Sequence, residues 1–188
     1  MDTNFHIALL LPTNRGLKTK TLQSLLEMVA LTPVETVIIG TEGFTTAENR
    51  TWLTVQAIQA GATHLLFVDD DMVYAKDTIE KLMEANVDIV GAKYANRRGT
   101  GEVIEYLGDS TIPVDTRYKV KALGGGCVLI KADVFKKVPQ PWFGYKTLPT
   151  GAVSMSHDWF FCEKAREVGY DIWCHSEVKP GHIAIKEF

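Results

Sequence analysis

Three consecutive carboxylates, Asp69, Asp70 and Asp71, follow the apolar run Leu65-Leu66-Phe67-Val68. Adjacent carboxylates repel one another, and burial worsens the repulsion, so a compensating charge is required. On an extended backbone, residues two apart project to the same side, so Asp69 and Asp71 can share one hard cation. Oxygen donors favour Mg2+ or Mn2+ over zinc. A cation held there could take both oxygens of a diphosphate and stabilise the charge that develops as it leaves. Capping of a following turn explains one aspartate better than three. A fourth carboxylate, Asp158, opens a helical pattern in SHDWFFCEKAREVG. It can meet the positive end of its own helix dipole.

The elements that must position these groups are legible from periodicity. Ile7 to Leu11 reads as a buried strand. Leu22, Leu25, Leu26 and Val29 form one helical face, closed by Pro33. Val37-Ile38-Ile39 is a second strand. Thr45 with Glu48 makes a capping box that opens a helix carrying Trp52, Val55 and Ile58, and Gly61 ends it. Leu65 to Val68 is a third strand, Ile79, Leu82 and Met83 mark a short helix, and Val87 to Val90 is a fourth strand. Continuous apolar strands alternating with helices predict an α/β domain, with a mainly parallel, Rossmann-like central sheet flanked by helices. Ligands of such sheets bind beyond the carboxyl ends of the strands, where the aspartates fall.

The second half is less regular. Tyr118 to Lys121 alternates as a half-exposed strand. Gly124-Gly125-Gly126 leads into the run Cys127 to Ile130; glycines there allow close backbone approach to a ligand, or simply a turn. Residues 139–153 read as a long loop, and a helix follows with Phe161, Ala165 and Val168 on one face. The expected organisation is a single domain over 1–188, with a regular half over 1–95 and a less regular half over 96–188.

Composition narrows the class. At 188 residues, one domain with a sizeable core is expected. A net charge of −3 argues against a generally nucleic-acid-coating protein. No apolar run approaches the ~20 residues of a membrane span, and Ile7 to Leu11 is too short for a signal-peptide core. Cys127, Cys162 and Cys174 lack metal-type spacing and read as buried, reduced thiols, which fits the cytoplasm. The Asn49-Arg50-Thr51 sequon is then a coincidence of composition.

The segment HLLFVDDDMVYAKDTIEKLMEANVDIVGAKY resembles the central portion of GT-A-fold glycosyltransferases, particularly family-2-like members. In those enzymes a hydrophobic strand ends in an Asp-x-Asp motif that holds the metal and the donor nucleotide. GGGCVLIKADVF is similar to their glycine-rich acceptor-side segment, SHDWFFCEKAREVGYDIW to the helix bearing their catalytic acid, and KPGH to the place where many supply a histidine to the metal. Four matches in the right order cover most of the chain. The resemblance implies Mn2+ or Mg2+ held by Asp69, Asp71 and His182, with Asp69 also reaching the ribose and Asp70 at the variable middle position. It implies Asp158 as the base that, in inverting members, takes the acceptor's proton; the family usually has Glu-Asp where this chain has His157-Asp158. Pro12, Thr13, Glu42 and Arg50 correspond to nucleotide-side positions, and Gly125 and Gly126 to a close approach to donor sugar or acceptor.

The implied function is transfer of a hexosyl or pentosyl group from a nucleotide-diphosphate sugar to an acceptor hydroxyl. UDP is the first choice because it is commonest in the resembling families. Arg117, Lys119 and Lys121 lie on one face of a strand, with Arg97 and Arg98 nearby if they flank the same cleft. They are either a solvated edge that resists aggregation or a surface for an anionic acceptor. Because compact enzymes of this sort resemble phage-encoded ones, the expected acceptor is a glycan or a hydroxymethylated DNA base, and the expected location the host cytoplasm if phage-encoded. A haloacid-dehalogenase-type phosphatase needs Thr or Ser where Val73 stands. A nucleotidyltransferase expects a glycine-rich, arginine-bearing loop that LLPTNRGLK matches poorly. A non-catalytic nucleotide-sugar-binding module is the remaining alternative.

Overall fold

The computed structural model describes residues 6–14, 16–32, 35–41, 43–97, 101, 103–106 and 116–183. In chain order the elements begin β1 (His6–Pro12), α1 (Thr19–Ala30), β2 (Glu35–Thr41), α2 (Thr46–Gln59) and β3 (His64–Val68). They continue with β4 (Met72–Val73), α3 (Thr78–Glu84), β5 (Ile89–Ala92), β6 (Ile104–Tyr106), β7 (Arg117–Leu123) and β8 (Cys127–Lys131). The last are α4 (Val134–Lys137), β9 (Lys146–Thr147), β10 (Val153–Met155), α5 (His157–Glu167), β11 (Ile172–His175) and β12 (Gly181–His182).

Strands from both halves of the chain interleave in one eight-stranded sheet, ordered β2-β1-β3-β8-β5-β11-β7-β6. β1 pairs in parallel with β2 and β3, and β5 in parallel with β11. β8 enters antiparallel between β3 and β5, and β7 runs against both β11 and β6. All strands but β7 and β8 therefore share one direction, giving the mostly parallel α/β sheet expected.

Period-two alternation divides the core into two faces. Ala8, Leu10, Leu65 and Phe67 point to one side, where Leu53 and Ala57 of α2 and Phe161 and Ala165 of α5 cover them. Ile7, Leu9, Leu66 and Val68 point to the other, covered by Leu25 and Met28 of α1 and Ile79 and Leu82 of α3. Helices on both faces explain why these strands are apolar throughout. α2 starts where the capping box placed it: Thr45 Oγ1 accepts from the Glu48 N–H, and Glu48 accepts from the Thr45 N–H at 2.9 Å.

Several faces differ from the sequence reading. In α1 the buried stripe is Thr21, Ser24, Leu25 and Met28, leaving Leu22 and Leu26 exposed. In α2 the buried residues are Ala47, Asn49, Arg50, Leu53, Thr54 and Ala57, and Trp52 is turned outward. Hydrophobicity alone misplaced the stripe because the buried face accepts polar residues that find partners, as Thr54 does by donating to the Arg50 carbonyl at 2.8 Å. In α5, Cys162 takes the buried place expected of Val168, which caps the helix and is exposed. The expected loop at 139–153 contains buried Trp142 and Phe143 and the paired strand β9. Pro33 lies outside the described residues. The three cysteines are buried and unpaired by disulfides, as expected.

β7 and β8 are joined by only Gly124, Gly125 and Gly126, yet they occupy different places in the sheet. This junction presses on Gly91 in β5. A Cβ there would lie 2.7 Å from Leu123 Cδ1 and 3.0 Å from both the Cys127 carbonyl oxygen and Val128 Cγ2. Substituting Gly91→Ala is expected to destabilise the fold by about 1–3 kcal/mol, the usual cost of overpacking a filled core. Urea unfolding measures this, and an unchanged midpoint would mean that the junction moves aside freely.

Candidate functional site

Antiparallel insertion of β8 puts its first residue, Cys127, opposite Val68, the last residue of β3. The glycine run before β8 and the aspartates after β3 are thereby brought to the same edge of the sheet. A Cβ on Gly126 would lie 2.7 Å from Asp69 Oδ2, and one on Gly125 would lie 2.5 Å from Asp158 Oδ1 and 2.7 Å from Arg50 Cζ. Any side chain here would displace the charged groups. Two buried phenols fasten the junction. Tyr74 accepts from the Asp69 N–H and donates to the Gly126 carbonyl, both at 2.8 Å, and Tyr94 accepts from the Gly126 N–H at 2.8 Å. Burial first, and then the neighbouring Asp69, push both phenols well above the ordinary tyrosine range, so they stay protonated donors. Burial likewise raises the Cys127 thiol, which leaves it inert.

Arg50, on α2, is the charge that the acidic cluster required. It is 2% exposed, with Nη2 2.9 Å from Asp69 Oδ1 and Nη1 donating to the Gly125 carbonyl at 3.0 Å. Its Nε stands 3.6 Å from Asp158 Oδ1 at the start of α5, and the guanidinium lies 5.2 Å from the centre of the Phe67 ring. One cation therefore joins a strand end, two helices and the glycine junction. The two acids that share it respond oppositely. Burial would raise Asp158, but Arg50 above all, then His157 and the Gly125 backbone, outweigh it and pull the carboxyl down to about 2. For Asp69 burial wins, and its pKa rises: Arg50 pulls down, while Asp158 and Asp71 push up. Nε2 of His157 is 2.7 Å from Asp158 Oδ1, an ion-pair distance whose angles fall outside hydrogen-bond geometry.

The third acid, Asp71, lies beside a histidine from the far end of the described chain. β12 pairs antiparallel with β4, with His182 opposite Met72, and the Ile183 N–H donates to the Asp71 carbonyl at 2.8 Å. One ligand atom each from Asp69, Asp71 and His182 lie within 4.8 Å of one another. These residues fit a divalent cation on two counts. Asp71 is buried, and its Oδ1 has no hydrogen-bond partner. His182 Nδ1 lies 2.9 Å from the Ala95 carbonyl, which can only accept, so Nδ1 carries the proton and Nε2 keeps its lone pair for a metal. The other Asp71 oxygen, Oδ2, is 2.5 Å from Nη2 of Arg97.

Pro12, Arg50, Asp69, Asp70, Asp71 and Asp158 line one cleft of about 320 Å³, the scale of small-ligand sites. Asn14, Thr46, Arg97 and His157 complete its wall. Thr13 follows β1 with its N–H donating to the Thr41 carbonyl, and its buried hydroxyl is unpartnered. Glu42 and Arg98 lie outside the described residues. Of the expected basic group, Arg97 faces the acidic cluster, Arg117 donates to the Ala85 carbonyl, and Lys119 pairs with Asp171 at 2.7 Å. Asn49 of the sequon is fully buried. The sequence reading missed Tyr74 and Tyr94. Their polar role depends on which backbone groups arrive beside them, and no local pattern records that.

No family model and no curated protein matches this sequence. Solved structures do match the fold. One is A197 from STIV, at TM-score 0.66 and 17% identity, covering 96% of this chain and 86% of that one. Another is GalNAc-T7 with UDP, GalNAc and Mn2+, at TM-score 0.66 and 11% identity, covering 98% of this chain and 45% of that one. This chain therefore spans less than half the length of that glycosyltransferase. Identities this low establish fold alone. The fold is GT-A-like, a single Rossmann-like α/β layer arrangement with its acidic cluster at the carboxyl edge of the sheet.

Proposed function

We propose that this protein is a metal-dependent glycosyltransferase that takes a sugar from a nucleotide-diphosphate donor, UDP being the first choice. One observation carries the reading: Asp71, a buried carboxylate with one unpartnered oxygen, lies with Asp69 in the same cleft as Asp158, and a ligand atom of His182 falls within 4.8 Å of both. That this occurs on a fold shared with a protein solved with UDP and Mn2+ supports the choice of ligand class. Asp69, Asp71 and His182 would hold Mn2+ or Mg2+, which when bound neutralises charge on a departing diphosphate. Pro12 and Thr13, with Glu42 and Asp70, are the nucleotide-side residues in this reading, and Gly125 and Gly126 leave room for Asp158, Arg50 and Asp69, which a Cβ there would meet. Asp158 accepts the proton of the attacking hydroxyl, on a glycan or a hydroxymethylated DNA base, with inversion at the sugar carbon.

A second reading, a nucleotide-sugar-binding module without transfer, is favoured by one feature. Asp158 Oδ1 already faces Arg50 and His157, and a carboxyl held near 2 is a weak base. The two readings part at this residue.

Calorimetry with Mn2+ and UDP, GDP or other nucleoside diphosphates tests the shared part. Asp71→Ala is expected to weaken Mn2+ binding by about 100-fold or more and to remove metal-dependent nucleotide binding. Failure of every nucleotide to bind with metal present would remove the donor. Asp158→Asn is expected to keep donor affinity and to lower turnover by about 10²–10⁴-fold; turnover at the wild-type rate would remove Asp158 as base. The sign of its pH dependence is also set. A depressed folded-state pKa contributes stability that is complete above about pH 4 and fades as pH falls through about 2. Wild type should therefore exceed Asp158→Asn in chemical-denaturation stability at neutral pH, and the difference should shrink only in strong acid.

A further inference from the structure

The stretch directly after β5 touches the candidate metal cluster at three consecutive levels. Tyr94 holds the Gly126 N–H and packs edge-on against His182, with ring centres 5.7 Å apart. The Ala95 carbonyl orients His182, and Arg97 reaches Asp71. The backbone of this stretch is fastened on both sides: Lys93 N–H donates to the Val178 carbonyl, Asn96 N–H to the Gly101 carbonyl and Val103 N–H to the Tyr94 carbonyl. Arg97 is thus delivered to Asp71 by a clasped loop.

The two arginines of the cleft differ in a way that matters. Arg50 is buried and held by four contacts, so it cannot leave without exposing buried charge. Arg97 is half-exposed and, among the described residues, has one ion-pair partner, Asp71 Oδ2. Asp71 is buried, and its two oxygens are unequal: among the described residues Oδ1 has no hydrogen-bond partner, and Oδ2 carries the guanidinium. A divalent ion bound to this carboxylate would sit against the guanidinium, and like charges at that range repel. The guanidinium is half-exposed and lines the same cleft, so on leaving Asp71 it would still stand beside a ligand there. There its planar fork suits phosphate oxygens.

We infer that Arg97 is a built-in counter-cation: it competes with the divalent ion for Asp71 and, once displaced, pairs with the diphosphate of the ligand. Ion and diphosphate then favour each other, because the ligand supplies the partner that the ion takes from Arg97. This rests on the metal and nucleotide reading proposed above, and the measurement separates the two.

Mn2+ is titrated without nucleotide into wild type, Arg97→Gln and Asp71→Asn, with free Mn2+ read by electron paramagnetic resonance. Arg97→Gln is expected to bind Mn2+ about tenfold more tightly than wild type, the scale of one lost partly exposed charge pair. Asp71→Asn is expected to bind poorly. Equal Mn2+ affinity in wild type and Arg97→Gln would overturn the competition while leaving the metal site standing. Mn2+ binding to Arg97→Gln but not to wild type would sustain the competition and remove the ion from the wild-type reaction. No binding to either would remove the metal reading and this inference with it. At saturating Mn2+, UDP is expected to bind Arg97→Gln about tenfold more weakly than wild type. Unchanged UDP affinity would overturn the diphosphate role, and absence of UDP binding to wild type would remove the donor reading itself.

Discussion

A guanidinium sealed inside the protein sets the terms for everything around it. Arg50 is almost wholly excluded from water, and a charge in that position is tolerated only when paired and hydrogen-bonded. Its partners are Asp69, Asp158 and the Gly125 carbonyl, with the Phe67 ring against its face. These come from β3 and its end, α5 and the β7–β8 junction, so satisfying one side chain aligns three parts of the fold with α2. The glycines follow from the same demand, because a Cβ at position 125 would occupy the space of the ion pair itself.

Sharing one cation also divides the acids electrostatically. Asp158 receives a net pull toward ionisation, while Asp69, crowded by burial and by two other carboxylates, is pushed the other way. Environments that separate the pKa values of neighbouring acids commonly mark groups with different tasks. In this chain the separation places a carboxylate that is ionised at neutral pH on the α5 side of the cleft. On the β3 side it leaves a group whose ionisation calls for further positive charge. Asp71, with one oxygen on Arg97 and one unpartnered, lies on that second side.

Topology supplies what charge alone cannot. β8 must run antiparallel to β3 for its leading glycines to meet the aspartates, and β12 must return to β4 for His182 to stand beside Asp71. Tyr74 and Tyr94 then hold the glycine junction through its backbone. The fold match to proteins of very low identity shows that these strand directions can be provided by many sequences.

The sequence by itself determined the local elements and the chemistry at their ends. Apolar runs marked β1, β3 and β5, the Thr45–Glu48 pair marked the start of α2, and three carboxylates after a buried strand demanded a counter-charge. Each of these is a property of neighbours in the chain, which is why periodicity and local pairing expose it. Contacts between distant segments fix that the demanded counter-charge is Arg50, that Trp52 faces outward while Arg50 faces inward, and that Tyr74, Tyr94 and Arg97 stand beside the acidic cluster and its glycine junction. Those outcomes depend on which distant backbone and side-chain groups are close enough to satisfy a buried polar atom. No spacing along the chain encodes that until β8 has been inserted between β3 and β5.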